Sequence, residues 1–274
     1  MTIGVCLDAT NISVGIIEGG VIYRKISDSF PFAGSEEETI AHLINSIARL
    51  MNSNIKGIGV GVPSIVDARL GIVYNAINIP SWREVHLKQI LEEEFRVPVC
   101  VNNDSNCFAF GERYCGEGTP YRSIVGIIMG TGLGAGIIIN DMLYEGYNTG
   151  AGEIGCLPYL DQSYENYCAS DFFKRKNTSA EIEFMNAENG DEAALEMWNE
   201  FGWHVGNLIK TVLFTYDPEA IILGGAISKA YPYFSKKMFE SMQSFPYIQA
   251  LMRIKILVSR KEDVTLLGAA ALIP

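Results

Sequence analysis

The sequence predicts an α/β protein built from two similar lobes around a cleft, and three observations lead there. Strand and helix signals alternate along the whole chain, and the opening strand–turn–strand pattern returns 121 residues later. In addition, 274 residues at 48% hydrophobic are enough to bury the cores of two lobes. Residues 1–116 are expected to form the N-terminal lobe and residues 117–262 the C-terminal lobe. A last segment, residues 263–274, is expected to be a helix returning to the first.

In the first lobe, Ile3–Leu7, Ile12–Ile17 and Val21–Arg24 read as strands, the last two joined through Glu18-Gly19-Gly20 as a hairpin turn. Ser35 followed by Glu36, Glu37 and Glu38 starts a helix whose apolar positions Ile40, Leu43, Ile44, Ile47 and Leu50 recur at helical spacing. A buried strand is expected at Ile55–Val62, a short helix at Leu87–Phe95 and a strand at Val97–Val101. Asn102-Asn103-Asp104 then leads into a helix reaching Tyr114, and Gly116 to Pro120 looks like a lobe boundary.

The segment Gly15–Tyr23 is echoed by Gly136–Tyr144, and Thr10 pairs with Thr131 at the same offset. A long helix follows around Asp191–Thr215, a strand at Ala220–Leu223 ending in Gly224-Gly225, a helix from about Ser228 to Met242 and a strand at Ile254–Val258. Val264–Leu272 is small and apolar, as in a helix packed closely against its neighbours.

A formal charge of −11 argues against nucleic acid or an anionic membrane as a bulk partner, since both need a basic face. A phosphorylated small ligand remains compatible, because backbone N–H groups bind phosphate without lysine. Six cysteines show no C-x-x-C spacing and none of the three histidines lies near a cysteine pair. This argues against structural zinc and for buried thiols in a reducing compartment. The first residues run straight into a strand and the longest apolar stretch carries four glycines, so a cytoplasmic protein is expected.

Three segments carry chemistry. Gly130-Thr131-Gly132-Leu133-Gly134-Ala135-Gly136 lies between apolar strands and exposes backbone N–H groups, either as a phosphate-holding turn or as a plain glycine-rich hairpin. Asp104 sits at a helix start, where the dipole keeps a carboxylate ionised, so that it either accepts a proton or simply caps the helix. Glu153, between glycines in Gly150–Gly155, presents a carboxylate suited to paired sugar hydroxyls. Asn78 and Asn103 both donate and accept, which also suits hydroxyls, although each type is common in turns.

The ordered set Gly61-Val62-Pro63, Ile77–Trp82, Asn103-Asp104, Gly130–Gly136, Gly152-Glu153-Ile154-Gly155, Ile222–Gly225 and Leu267–Ala270 resembles the ROK (repressor, open reading frame, kinase) family across nearly the whole chain. The resemblance implies the duplicated actin/hexokinase-like (ribonuclease H-like) fold. It also implies a glucokinase-like enzyme that uses ATP and Mg²⁺ to phosphorylate a hexose or amino sugar at its 6-hydroxyl. Asp104 would be the base, and Asn78, Asn103 and Glu153 would hold the sugar. Asp8, Thr10, Gly130, Thr131, Gly132 and Gly134 would hold nucleotide phosphates, with Gly224 and Gly225 beside the adenosine. A sugar-binding regulatory protein of the same fold is the alternative. Repressors of the family carry a helix-turn-helix ahead of the first strand, which here starts at Ile3, so a kinase is expected. Family members are often dimers, although no surface stripe marks an interface in this sequence.

The chain departs from the family pattern in three places. The first phosphate loop, D-x-G-G-T in the family, reads Cys6-Leu7-Asp8-Ala9-Thr10. Asp8 either substitutes for the missing Asp from about 6–7 Å along the strand or repels phosphate. The family's histidine after G-E-x-G is Cys156. The C-x-C-G-x-x-G-C zinc loop is missing between Tyr159 and Ser163, so no structural zinc is expected.

Overall fold

The computed structural model describes residues 1–7, 11–76 and 78–274. The chain runs through β1 (Thr2–Leu7), β2 (Asn11–Glu18), β3 (Val21–Ser29), α1 (Glu36–Ala48), β4 (Ile58–Val62), β5 (Ile65–Asp67), β6 (Ile72–Tyr74), β7 (Glu84–Val85), α2 (Leu87–Phe95), β8 (Val99–Asn103) and α3 (Asp104–Cys115). Next come β9 (Ile124–Met129), β10 (Leu133–Ile139), β11 (Met142–Leu143), β12 (Pro158–Tyr159), β13 (Gln162–Ser163), α4 (Glu165–Cys168), α5 (Ser170–Lys174) and α6 (Ala180–Glu188). The chain closes through α7 (Glu192–Tyr216), β14 (Ala220–Gly224), α8 (Tyr231–Met242), α9 (Ile248–Arg253), β15 (Lys255–Val258) and α10 (Val264–Ala271).

Two five-stranded sheets share one order. The first runs β3-β2-β1-β4-β8 and the second β11-β10-β9-β14-β15. In the first, β1 pairs antiparallel with β2 and parallel with β4, which pairs parallel with β8. In the second, β14 pairs parallel with both β9 and β15. The duplication extends to the turns. Gly19 and Gly20 both have positive φ between β2 and β3, and Asn140 and Asp141 do so between β10 and β11. Two residues of positive φ give the type I′ turn, whose twist matches that of hairpin strands.

By packing, the chain divides into two compact units. The first comprises Met1–Pro120, Gly136–Ala151 and Arg260–Pro274, and the second Tyr121–Ala135 and Gly152–Ser259. This partition assigns Gly136–Ala151 to the first unit, where a division by chain position at residue 117 puts it in the second.

In the first unit, α1 begins at a full capping box, Ser35 with Glu38, and buries Leu43 and Ile47 as the helical spacing expects. A core of Ile3, Val5, Leu7, Ile58, Val60, Leu87, Leu91 and Val101 fills the sheet's interior. The closest approach in this unit is made by α10. An added Cβ at Gly268 would lie 1.8 Å from the Cys107 carbonyl oxygen of α3, and one at Gly111 2.0 Å from that of Val264. Gly59 is equally close to Ala269 O, at 1.8 Å. These helices therefore meet backbone to backbone.

In the second unit α7 is capped by Asp191 and buries Trp198, Phe201, Val205, Leu208, Ile209 and Val212 along one face. Strands β5–β7 and β12–β13, and helices α4–α6 and α9, are not anticipated from the sequence. Most are too short to show a period, and α6 is announced chiefly by its cap Ser179. The helix expected from Ser228 starts at Tyr231, after a 3-10 turn over Ala226–Ala230. Among the described residues no helix is long and apolar enough to cross a membrane. The six cysteines are all thiols. Cys107 and Cys168 are buried, Cys6, Cys100 and Cys115 half-buried, and Cys156 is exposed, which corrects the expectation that all are buried.

Replacing Gly268 by alanine is expected to cost about 2–3 kcal/mol by overpacking, which for a chain of this size lowers the unfolding midpoint by roughly 5–10 °C. Gly130→Ala, whose Cβ would meet nothing within 4 Å, should leave the midpoint within about a degree. Calorimetry of the two variants beside the wild type checks both.

Candidate functional site

In the first unit, the chain leaves β8 and enters α3 at Asn103-Asp104. Asn103 is the N-cap, its Oδ1 accepting from the N–H of Ser105 (2.8 Å) and Asn106 (3.3 Å). Its Nδ2 donates to Ser64 O at 3.0 Å, so part of its bonding capacity is spent on holding the helix start. Asp104 is the first residue of α3, where exposed helical N–H groups favour an anion. Its Oδ1 also accepts from Ser105 N at 2.8 Å. Behind them, Asn102 donates to Glu145 Oε1 (2.6 Å) and accepts from Asn106 Nδ2 (2.9 Å).

Asn78 lies in the turn between β6 and β7, with an exposed side chain. That turn is anchored by Trp82, wholly buried, whose Nε1 donates to Thr39 Oγ1 at 2.7 Å. The same small sheet reaches Asn103 through Ser64, whose hydroxyl donates to Tyr74 O at 2.8 Å. Gly136 is the last glycine of the 130–136 motif. An added Cβ there would fall 2.5 Å from Ser105 O and 2.9 Å from Asn106 Cα. This glycine thus lets β10 press on the first turn of α3, directly after Asp104.

In the second unit, Gly130–Gly132 turns between β9 and β10, and Gly134 follows on β10. Gly130 N donates to Gly132 O at 3.0 Å, and Ser170 clasps the turn from α5. Its N–H donates to Gly130 O and its hydroxyl to Thr131 O, both at 2.9 Å. Thr131 is exposed and the space above Gly130 is open. Gly224-Gly225 adjoins this turn. Gly224 pairs in register with Ile128, and Gly225, at φ +83°, brings its Cα so near Met129 that a Cβ would lie 2.2 Å from Met129 O.

Glu153 stands on the other side of the turn, where Ala135 N donates to Gly152 O at 3.2 Å. The residue as a whole is exposed, but its carboxyl lies among protein atoms. That burial raises its pKa, and the nearby charge of Glu165 raises it further. Sequence reasoning missed Glu165. Its Oε2 accepts from Leu133 N at 2.9 Å, on the glycine turn itself. The one available signal was its place just after Ser163, where the chain resumes beyond the missing zinc loop.

The structure therefore brings together Gly130, Thr131, Gly132, Gly134, Gly224, Gly225 and Glu153 in the second unit, and joins Asn103 and Asp104 in the first. Asp8 and Thr10 lie outside the described residues.

The architecture is that of the actin/hexokinase-like sugar kinases. The ROK glucokinase of Streptomyces griseus, solved with glucose and AMPPNP, superposes with a TM-score of 0.82 over 99% of this chain and 98% of its own, at 24% identity. The ROK family model matches residues 35–274, and the chain belongs to the ROK family. It is 31% identical to a glucokinase of Halalkalibacterium halodurans over 210 residues, 65% of this chain and 63% of that protein's length. It is 27% identical to a xylose repressor of Caldicellulosiruptor bescii over 97% of this chain and 76% of the repressor.

The raised pKa of Glu153 means that its ionised form is disfavoured by folding. Its contribution to stability is present when it is protonated and is lost as pH rises through its folded pKa. Glu153→Gln should therefore raise the unfolding midpoint near pH 7. The gain should fade on acidification through that pKa, where the wild type also carries a neutral side chain. Thermal melts of both proteins between pH 4 and 8 test the sign.

Proposed function

We propose that this protein is an ATP-dependent sugar kinase that phosphorylates a hexose or amino sugar at its 6-hydroxyl. The observation carrying this reading is Asp104 at the first turn of α3, a carboxylate on a helix start pressed by Gly136 and backed by α10. The glucokinase relative supports the substrate class.

Phosphoryl transfer asks a protein for alignment, charge neutralisation and a proton acceptor. Asp104 takes the proton of the attacking hydroxyl as the new O–P bond forms and the bond to the ADP leaving oxygen breaks. Asn78 and the remaining Nδ2–H of Asn103 meet sugar hydroxyls, as do Glu153 and Glu165, whose pairing suits vicinal donors. The open backbone at Gly130 fits a nucleotide phosphate, and Gly224-Gly225, which adjoins that turn through Ile128 and Met129, would lie beside the nucleoside. Mg²⁺ supplies charge neutralisation on the phosphates and is held in such sites by one or two carboxylates together with the phosphates. Asp8 is the carboxylate that the altered loop offers it.

A second reading, a sugar-binding regulatory protein, is favoured by the half-buried Cys6 where the family pattern has Asp, and by the xylose repressor relative. An ADP-release screen over about twenty hexoses and amino sugars, with Mg²⁺ and with Mn²⁺, separates the two. Sugar-dependent ADP formation supports the kinase, and tight sugar binding without turnover supports the regulator.

Asp104→Asn should lower kcat by about 10²–10⁴-fold, while calorimetric sugar binding stays within a few-fold of wild type. Undiminished turnover would remove Asp104 as the base. Activity gained in Cys6→Asp would show that the native loop limits transfer.

A further inference from the structure

The donors around the missing zinc loop do not fit a tetrahedral metal. Cys156 is exposed and Cys168 wholly buried, and among the described residues no three His, Cys, Asp or Glu side chains converge to hold an ion. His204, the histidine on α7 in this region, spends its Nδ1 on the Tyr159 hydroxyl at 3.0 Å.

A group of rings occupies this region. Tyr159 stacks on Tyr164 with centroids 4.3 Å apart and planes 12° from parallel. Tyr167 and His204 meet Tyr159 edge-on, at 5.3 and 5.7 Å. The Tyr164 hydroxyl bonds Thr211 Oγ1 at 2.7 Å and reaches Asn207 O at 3.3 Å, both on α7. Tyr164 N donates to Leu157 O at 3.1 Å, which closes the segment on itself. Arg175 covers Tyr167 at 4.9 Å, and Tyr167 donates to Asp161.

We infer that this aromatic clamp takes over the task of the family's zinc loop: it fixes Leu157–Cys168 on α7 and so seats Glu165 against the glycine turn. Tyr164 directly precedes Glu165, whose carboxylate accepts from Leu133 N. Ser170, six residues beyond Tyr164, holds the carbonyls of Gly130 and Thr131. Any slack in the rings is thereby transmitted to Glu165 and to the glycine turn that it and Ser170 hold. Burial lowers the pKa of His204, against the opposing pull of Glu200. Its Nε2 lies 4.0 Å from Glu200 Oε1. Tyr159, Tyr164 and Thr211 are positioning residues, acting through Glu165 rather than on a ligand.

The kinetic consequence rests on the sugar-kinase reading, and the structural one does not. The test combines hydrogen exchange of peptides spanning 129–135 and 157–170, zinc analysis, and the variants Tyr159→Phe/Tyr164→Phe, Thr211→Val and Thr211→Ser. Wild-type protein should carry no stoichiometric zinc, and 1,10-phenanthroline should leave its exchange unchanged. The double variant should keep a cooperative melt while both peptides exchange at least tenfold faster. Thr211→Val should move them in the same direction and Thr211→Ser restore them. In the active enzyme the double variant should raise the sugar KM at least fivefold with kcat changed less than twofold. Stoichiometric zinc, a chelator-sensitive wild type, or wild-type exchange in the double variant overturns the inference. If the double variant does not fold, Thr211→Val decides on exchange alone. A wild type without turnover on any sugar would defeat the kinase reading and leave the exchange result standing.

Discussion

The first unit is organised by a contact in which α3 and α10 touch through their backbones. Gly268 lies against the Cys107 carbonyl and Gly111 against that of Val264, and Gly59 of β4 fits under Ala269 in the same way. Side chains normally keep helices 8–10 Å apart. Removing them gives up some apolar burial but replaces adjustable rotamers with rigid main chain. A helix seated in this manner has little freedom to slide, so its N-terminus is held in place. Asp104 stands at that N-terminus, and Gly136 presses on the same turn from β10. The placement of the Asp104 carboxylate is thus fixed by glycines, through main chain rather than through side chains.

The two sheets show how one pattern has been put to two uses. Their strand orders match, and both hairpins use two residues of positive φ, as Gly-Gly in one and Asn-Asp in the other. Beyond the shared frame they differ in the elements joined to it. The first sheet ends at β8 and hands over to an acid-bearing helix. The second opens at β9 into a glycine turn held by Ser170 and Glu165 from short helices that have no counterpart in the first copy. Divergence lies in what is attached to the strands, while the strands are retained.

This division also explains what the sequence disclosed. Long periodic elements such as α1 and α7, the capped helix starts and the Gly-Gly hairpin were legible, because each is set by residues close together in the chain. So were the glycine turn and the helix start at Asp104. Less legible were roles that depend on distant partners. Asn103 looks like a hydroxyl ligand in sequence, and in the structure its amide also caps α3 and holds Ser64. Glu165 gains its meaning from Leu133 N, 32 residues earlier, and Tyr159 from His204, 45 residues later. No local pattern encodes such pairs. Tyrosines at those positions read as ordinary core until their hydroxyl partners are known.

The placement of α10 bears on how the protein is made. The first unit gathers three separated stretches of chain, and the wall that backs α3 is built from residues 264–271. A nascent chain that has already produced β1, β4, β8 and α3 exposes an apolar groove lined by glycines until those late residues leave the ribosome. The second unit, drawn from Tyr121–Ala135 and Gly152–Ser259, is fully synthesised before then. Because the second unit ends only five residues before α10 begins, the groove stays exposed throughout synthesis of the second unit, and that interval is when a chaperone has most to protect.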